Sequence, residues 1–282
     1  MTLAAADMSD LRSRYPRILA RHPAARAFRF ALFIAGLAAI AWLARRTELL
    51  SLKFLAGISR VGAIVQGMWP PEAGSAGTLA SIGSGLAQTV AMAFLGTLVA
   101  ALIAVPLGFL GARLVVRNPA VHFLIRRAFD MFRGMPALIW ALVFARAVGL
   151  GPMTGVLAFI AADFAPLSKL FAEAIEAADT KALEGVRSTG ATGLAALRFG
   201  LLPQVMPNML SQALYFFESN VRSASILGIV GAGGIGGVLD EAIKFSLWHE
   251  VLFILIGLFV MVFLIDQASG LLRARLIGRE RQ

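Results

Sequence analysis

The sequence predicts an all-α integral membrane protein with six transmembrane helices, and three observations carry that prediction. The 282-residue chain is 59% hydrophobic, with a mean hydropathy of +0.79 and only 15% charged residues, whereas soluble domains are about half apolar and about a quarter charged. Its apolar residues gather in runs of bilayer-spanning length or close to it. Lys and Arg concentrate in alternate gaps between those runs, the bias expected of cytoplasmic loops.

Residues 1–29 carry six arginines (Arg12, Arg14, Arg17, Arg21, Arg26, Arg29) and no long apolar run, which reads as a cytoplasmic, interfacial arm rather than a cleavable signal. Residues 30–46 are the first span. Its apolar centre is short, so Ala27 and Phe28 and snorkelling arginines extend it, with Arg45 and Arg46 at the far interface. Residues 47–81 alternate apolar and polar side chains and contain Trp69-Pro70-Pro71-Glu72, a pattern for an extracytoplasmic segment lying on the membrane with an aromatic anchor.

The remainder, 82–272, holds five further spans. Residues 82–112 form the second, rich in glycines that let helices pack closely in lipid. Residues 123–133 are predicted as an amphipathic interfacial helix, broken by Gly134-Met135-Pro136 before a third span that ends near Val148. Gly149-Leu150-Gly151-Pro152 is a tight outer turn, and residues 153–174 return as the fourth span. The fifth runs over about 206–230, Gly231 to Gly237 closes its outer end, 240–250 is an outer loop, and 251–272 is the sixth. Residues 273–282 are a cytoplasmic tail with four arginines.

Sorting the 26 Lys and Arg by this topology places 19 inside and 5 outside, with Arg146 and Arg222 within spans. Both termini are then cytoplasmic. The formal charge of +10 is accounted for by these loops and gives no reason to expect nucleic acid. With no cysteine, and with His22, His122 and His249 far apart, neither a disulfide framework nor a metal site is expected.

Between the fourth and fifth spans lies LEGVRSTGATGLAALRFGLLPQVMP, residues 183–207. Residues 183–189 suit a short helix that Gly190 ends in a left-handed cap, and Thr192 suits the N-cap of a second helix through Phe199. Pro203 fits the first turn of the following span. A polar helix pair of this kind in an otherwise apolar chain is expected to be a docking surface.

The spacing of Glu184, Gly190 and Leu202-Pro203 resembles the cytoplasmic loop of ABC importer permeases, whose pattern is E-A-A, three residues, G, nine residues, I, one residue, L-P. Gly185 and Val186 stand where the pattern has alanines, and Gly200 where it has isoleucine. Glu176-Ala177-Ala178 offers a second acidic start, but Ala182 occupies its glycine position. The resemblance implies that the coupling loop, 180–203, sits in a groove of an ATPase subunit, with Glu184 and Gly190 as its acid and glycine.

Two other stretches, FRGMPALIWALVFARAVGLGP (132–152) and FESNVRSASILGIVGAGGIG (217–236), resemble the phosphonate-type branch of those permeases. The resemblance implies a type I importer fold in a bacterial inner membrane. It also implies a second permease copy as a homodimer, two ATPase subunits that use ATP and Mg, and a periplasmic binding protein delivering phosphonate or a related phosphorus oxyanion. Methionine- or sulfonate-type importers are the alternative within the class, and an ion-coupled carrier the alternative outside it. A carrier of that kind is disfavoured because neither half of the chain repeats the other and the loop would have no role.

Gly231, Gly233 and Gly236 match G-x-G-x-x-G and Glu250 follows, but a dinucleotide site needs a strand before the glycines and a helix after them. Gly231, Gly233, Gly234 and Gly236 read instead as a closely packed gate or as a plain helix end. No phosphate-binding lysine loop occurs, so the chain is expected to bind no cofactor and to have no catalytic site of its own. Glu218, Asn220 and Arg222 are polar groups within the fifth span, where such residues mark a pathway by default. Glu218 and Arg222 are also spaced to pair along one helix face, so a pore role and a structural pair both stand. Arg133, beside the Gly134-Pro136 break, is placed at an inner vestibule.

Overall fold

The computed structural model describes residues 23–47, 52–116 and 118–278. Of the expected arm over 1–29, residues 1–22 lie outside the described residues, as do Arg117 and, in the expected tail, Arg279 and Arg281, while 23–29 are already part of the first helix. The chain divides into two units, 1–66 and 67–282.

In the first unit, α1 (Pro23–Arg46) is apolar on all sides between Arg29 and Arg45, and Phe28, Phe33 and Trp42 are all more than half exposed. Such a helix has lipid as its natural surroundings. The Arg46 guanidinium lies 5.4 Å from the centre of the Trp42 ring, an interfacial cation–π contact. α2 (Leu52–Gly67) is a regular 16-residue helix, although the sequence there reads as irregular. At 1.5 Å per residue it reaches about 24 Å, short of a hydrocarbon core of about 30 Å.

The second unit opens with α3 (Ala76–Gly111), whose first N–H groups are capped by the Ser75 side chain, with Thr78 N donating at 3.2 Å. The helix therefore starts six residues before the expected 82, and the segment assigned to the interface ends at this cap. Next come α4 (Pro119–Arg133) and α5 (Ala137–Val148), bent by 79°. Pro136 is the hinge, because it cannot donate to the preceding turn and holds an extended ψ of 152°. Here the expectation of a complete third span is corrected: the 12 residues of α5 cover about 18 Å and span only as part of the bent pair.

α6 (Pro152–Glu176) runs parallel to α3. A Cβ on Gly96 would lie 2.6 Å from Phe159 Cβ, and one on Gly108 would lie 2.7 Å from Phe171 Cβ. These two glycines let the backbones close onto the aromatic residues at both levels of the bundle.

Beyond α6 lie two short helices, α7 (Thr180–Ser188) and α8 (Gly193–Ala196). The chain then passes through a π-helical turn, Leu197–Leu201, straight into α9 (Leu202–Leu227). The expected stop at Phe199 is absent, and the fifth span begins at the loop itself. A second π-helical turn, Gly228–Ala232, leads into α10 (Ile235–Lys244) with a bend of 60°. The segment 240–250 is thus mostly helical rather than a loop. α11 (Trp248–Gly278) carries Arg273 and Arg275, so these residues of the expected tail continue the last span.

Among the described residues, four helices are long and apolar enough to cross a bilayer, and the number rises to six where each bent pair counts as one span. Among the described residues, the core lies in three clusters. One, at the end bearing α7, contains Phe171, Leu183, Leu201 and Val205. Another, at the opposite end, holds Ile82, Ile235 and Ile254, and Phe159, Ala224 and Leu227 form the third.

Candidate functional site

The loop between α6 and α9 is built as its residues dictate. Asp179 caps α7 by accepting from Lys181 N at 2.9 Å, and Thr192 caps α8 by accepting from Ala195 N at 3.5 Å. Between them Gly190 has φ +84° with no neighbour near its missing Cβ, so the glycine is there for its backbone and not for space.

Leu183 is buried beneath α7, whereas Glu184 and Gly190 are exposed. Gln204, in the first turn of α9, closes the loop: its amide nitrogen donates to Gly200 O at 2.6 Å and to Asp179 O at 3.3 Å, and its oxygen accepts from Asp179 N at 3.2 Å. A Cβ on Gly200 would lie 3.1 Å from Leu183 Cα, so the departure from isoleucine at this position lets α7 settle on the π-helical turn. Leu202 is half-buried and Pro203 exposed in the first turn of α9.

Glu176 is not part of this surface. It ends α6 and is committed to Arg126 at 2.8 Å and to Arg113 N at 2.9 Å. Together with the Lys169–Asp130 pair at 2.6 Å, this clamps α4 to α6. Arg133 is exposed at the α4–α5 break, and no ion pair engages it among the described residues.

The polar groups of α9 separate. Glu218 and Arg222 do not pair with each other. Glu218 is buried and meets Arg273 of α11 at 2.8 Å, while Arg222 meets Asp266 of α11 at 3.1 Å and stays half exposed. Two cross-helix pairs replace the single intrahelical one because α11 packs against this side of α9.

Asn220 turns into the bundle, where its amide nitrogen donates to Thr97 Oγ1 at 2.8 Å and also to Asp163. Thr97 passes the chain on to Ala93 O at 2.7 Å. All three side chains are buried, so a polar link ties α3, α6 and α9. Asp163 and Thr97 escaped the sequence reading, although an acid at the centre of an apolar run was a usable signal.

The four glycines form a tight corner. Gly231, Gly233 and Gly234 have φ of +95°, +76° and +70°. A Cβ on Gly236 would come within 1.9 Å of Ser225 O. Gly231 O accepts from Gly151 N at 2.8 Å, and Ile235 N donates to Thr89 Oγ1 at 2.9 Å. The corner is thereby fixed to both the 149–152 turn and α3.

Residues 104–278, which include the loop between α6 and α9 and the glycine corner, match the family described as the binding-protein-dependent transport system inner membrane component. The chain belongs to this family. Among relatives, it is 36% identical over 257 residues to a putative phosphite transport system permease protein, HtxC, of Stutzerimonas stutzeri, covering 91% of this chain and 89% of that one. It is 40% identical over 191 residues to the phosphate-import permease protein PhnE of Mycolicibacterium smegmatis, covering 68% of this chain and 36% of the relative.

Among solved structures, an inward-facing form of the MetNI methionine ABC transporter aligns with a TM-score of 0.64 at 21% identity, over 72% of this chain and 99% of that one. That likeness establishes the fold. As a binding-protein-dependent transport component, the chain is an inner-membrane permease subunit of the type I ABC importer fold.

Proposed function

We propose that this permease subunit carries a small phosphorus oxyanion, phosphite or a phosphonate, inward across the bacterial inner membrane. The observation that carries this reading is the similarity to a putative phosphite permease over 91% of the chain, which extends through both bent pairs and the loop. A periplasmic binding protein delivers the anion, and two copies of the chain enclose the path.

Two copies of a separate ATPase take up the loop, with Glu184 on the exposed face of α7 and Gly190 setting the angle between α7 and α8; Leu202 and Pro203 begin the helix that transmits the movement. ATP and Mg belong to that partner. The loop end is cytoplasmic and so are both termini, in keeping with the excess of Lys and Arg on that side. The glycine corner closes the path at the other end. Arg222 contributes positive charge along it, while Glu218 and Asn220 hold helices together.

The test is uptake by proteoliposomes containing the chain, its ATPase and the binding protein. Labelled phosphite is expected to enter only with ATP and Mg inside the ATPase compartment, and unlabelled phosphonate should compete while methionine should not. Uptake driven by a proton or sodium gradient without ATP would overturn the importer reading, and methionine uptake would overturn the substrate.

A further inference from the structure

α9 presents two exposed faces of opposite character. One carries Met206 and Leu210, 42% and 44% exposed, as a lipid-facing surface does. The other carries Asn208, Ser211, Tyr215, Ser219 and Arg222. Steps of three or four residues keep these five side chains within about 80° of helix circumference and spread them over about 21 Å.

Asn208, Tyr215 and Arg222 are exposed and the two serines half-buried. Among the described residues, the Asn208 amide nitrogen and the Tyr215 and Ser219 hydroxyls have no hydrogen-bond partner; Ser211 donates to Pro207 O at 2.8 Å.

Hydrocarbon satisfies none of these groups, so a polar file of this length in a membrane helix faces water or protein. Its chemistry favours an anion. The file contains no free carboxylate, since Glu218 is turned to Arg273 and Asp266 is held by Arg222. At its loop end the file opens into a cleft of about 700 Å³ lined by Gln204, Asn208, Ser211 and Asp179, whose carboxylate is engaged as the cap of α7. Neighbouring donors stand about 4.5–6 Å apart along the axis. An anion with several oxygens can therefore hold one while reaching the next, and passage needs such weak, repeated binding.

We infer that Asn208, Ser211, Tyr215, Ser219 and Arg222 line the solute path, with Arg222, restrained by Asp266, as its single charged station. The nature of the solute rests on the function proposed above, whereas the lining does not.

The chain has no cysteine, so single cysteines report cleanly. Asn208→Cys, Ser211→Cys and Ser219→Cys, with Met206→Cys and Leu210→Cys for comparison, are placed in the complex with its ATPase in proteoliposomes. A small anionic methanethiosulfonate is supplied on both sides. The three file positions are expected to react at least tenfold faster than the other two, and the reaction should block uptake. Equal rates on both faces would overturn the inference, as would unreactive file positions shielded by a second copy of the chain. If the file reacts but phosphite does not cross, the substrate reading fails and the lining stands. If phosphite crosses while the file stays unreactive, the reverse holds.

Discussion

The Arg273 guanidinium lies 2.8 Å from the Glu218 carboxylate, joining the far part of α11 to the middle of α9. Glu218 is almost fully buried, so removing its partner leaves a charge with nothing to compensate it, a change that costs about 3 kcal/mol even at the low end for buried pairs. Arg273→Ala is therefore expected to lower the thermal stability of the purified protein, and Glu218→Arg combined with Arg273→Glu to recover most of it. Equal stability of Arg273→Ala and the parent would show the pair to be incidental.

The glycine corner makes a sharper distinction between neighbours. A Cβ on Gly236 would strike Ser225 O at 1.9 Å, whereas one on Gly237 finds its nearest atom at 3.9 Å. Gly236→Ala must displace backbone, and strain of that kind costs roughly 1–3 kcal/mol. Gly237→Ala, within a helix that favours alanine, should be neutral or slightly stabilising. Melting temperatures of the two variants in one detergent decide the matter.

A third expectation concerns the Thr97–Asn220–Asp163 link. Asn220→Leu removes both donations and leaves the Asp163 carboxyl buried without its donor, at a cost of about 1–3 kcal/mol. Asp163→Asn keeps a group able to accept from Asn220 and should be milder. Proteolytic resistance of the purified protein should fall in that order, and a more damaging Asp163→Asn would point to an ionic role instead.

Sidedness is read from charge and is open to direct labelling. Cysteines replacing Ser75 and Ser246 should react with impermeant thiol reagents added outside intact cells, and one replacing Ser188 only after the membrane is opened. Labelling of Ser188→Cys from outside would reverse the topology.

Much of this was legible because membrane helices declare themselves through apolar length, and because capping residues act locally. Thr192 and Gly190 each do what their chemistry allows within a few residues of chain, whereas the Asp179 cap, which starts α7 at Thr180 rather than Leu183, went unread. The partners of Glu218 and Arg222 were not legible. An i,i+4 spacing is visible in sequence, but the choice of Arg273 and Asp266 depends on how α11 lies against α9, a contact between residues more than forty positions apart. Helix ends misplaced at 82, 199 and 240 share another cause: hydropathy marks where lipid begins, while hydrogen bonding lets the helix continue beyond it. Asp163 stood out as an acid inside an apolar run, but its link to Thr97 and Asn220 stayed hidden because nothing local tells a buried polar link from a solitary polar residue.

The loop between α6 and α9 yields the last prediction. Gly190 occupies the left-handed region with open space around its Cα, so any penalty for a side chain there comes from the backbone, roughly 1–2 kcal/mol for an L-residue, and more for a β-branched one. Asparagine tolerates the conformation better. Gly190→Val should re-aim α8 against α7 and abolish coupled uptake, whereas Gly190→Asn should retain a substantial part of it. Glu184→Lys, on the exposed face of α7, alters charge without touching the fold, so it should weaken ATPase binding while leaving the melting temperature unchanged. Copurification of the ATPase, measured beside ATP hydrolysis stimulated by the loaded binding protein, separates the two effects: Glu184→Lys loses the partner, and Gly190→Val loses stimulation. Normal copurification and normal uptake by both Glu184→Lys and Gly190→Val would remove the loop from the coupling mechanism.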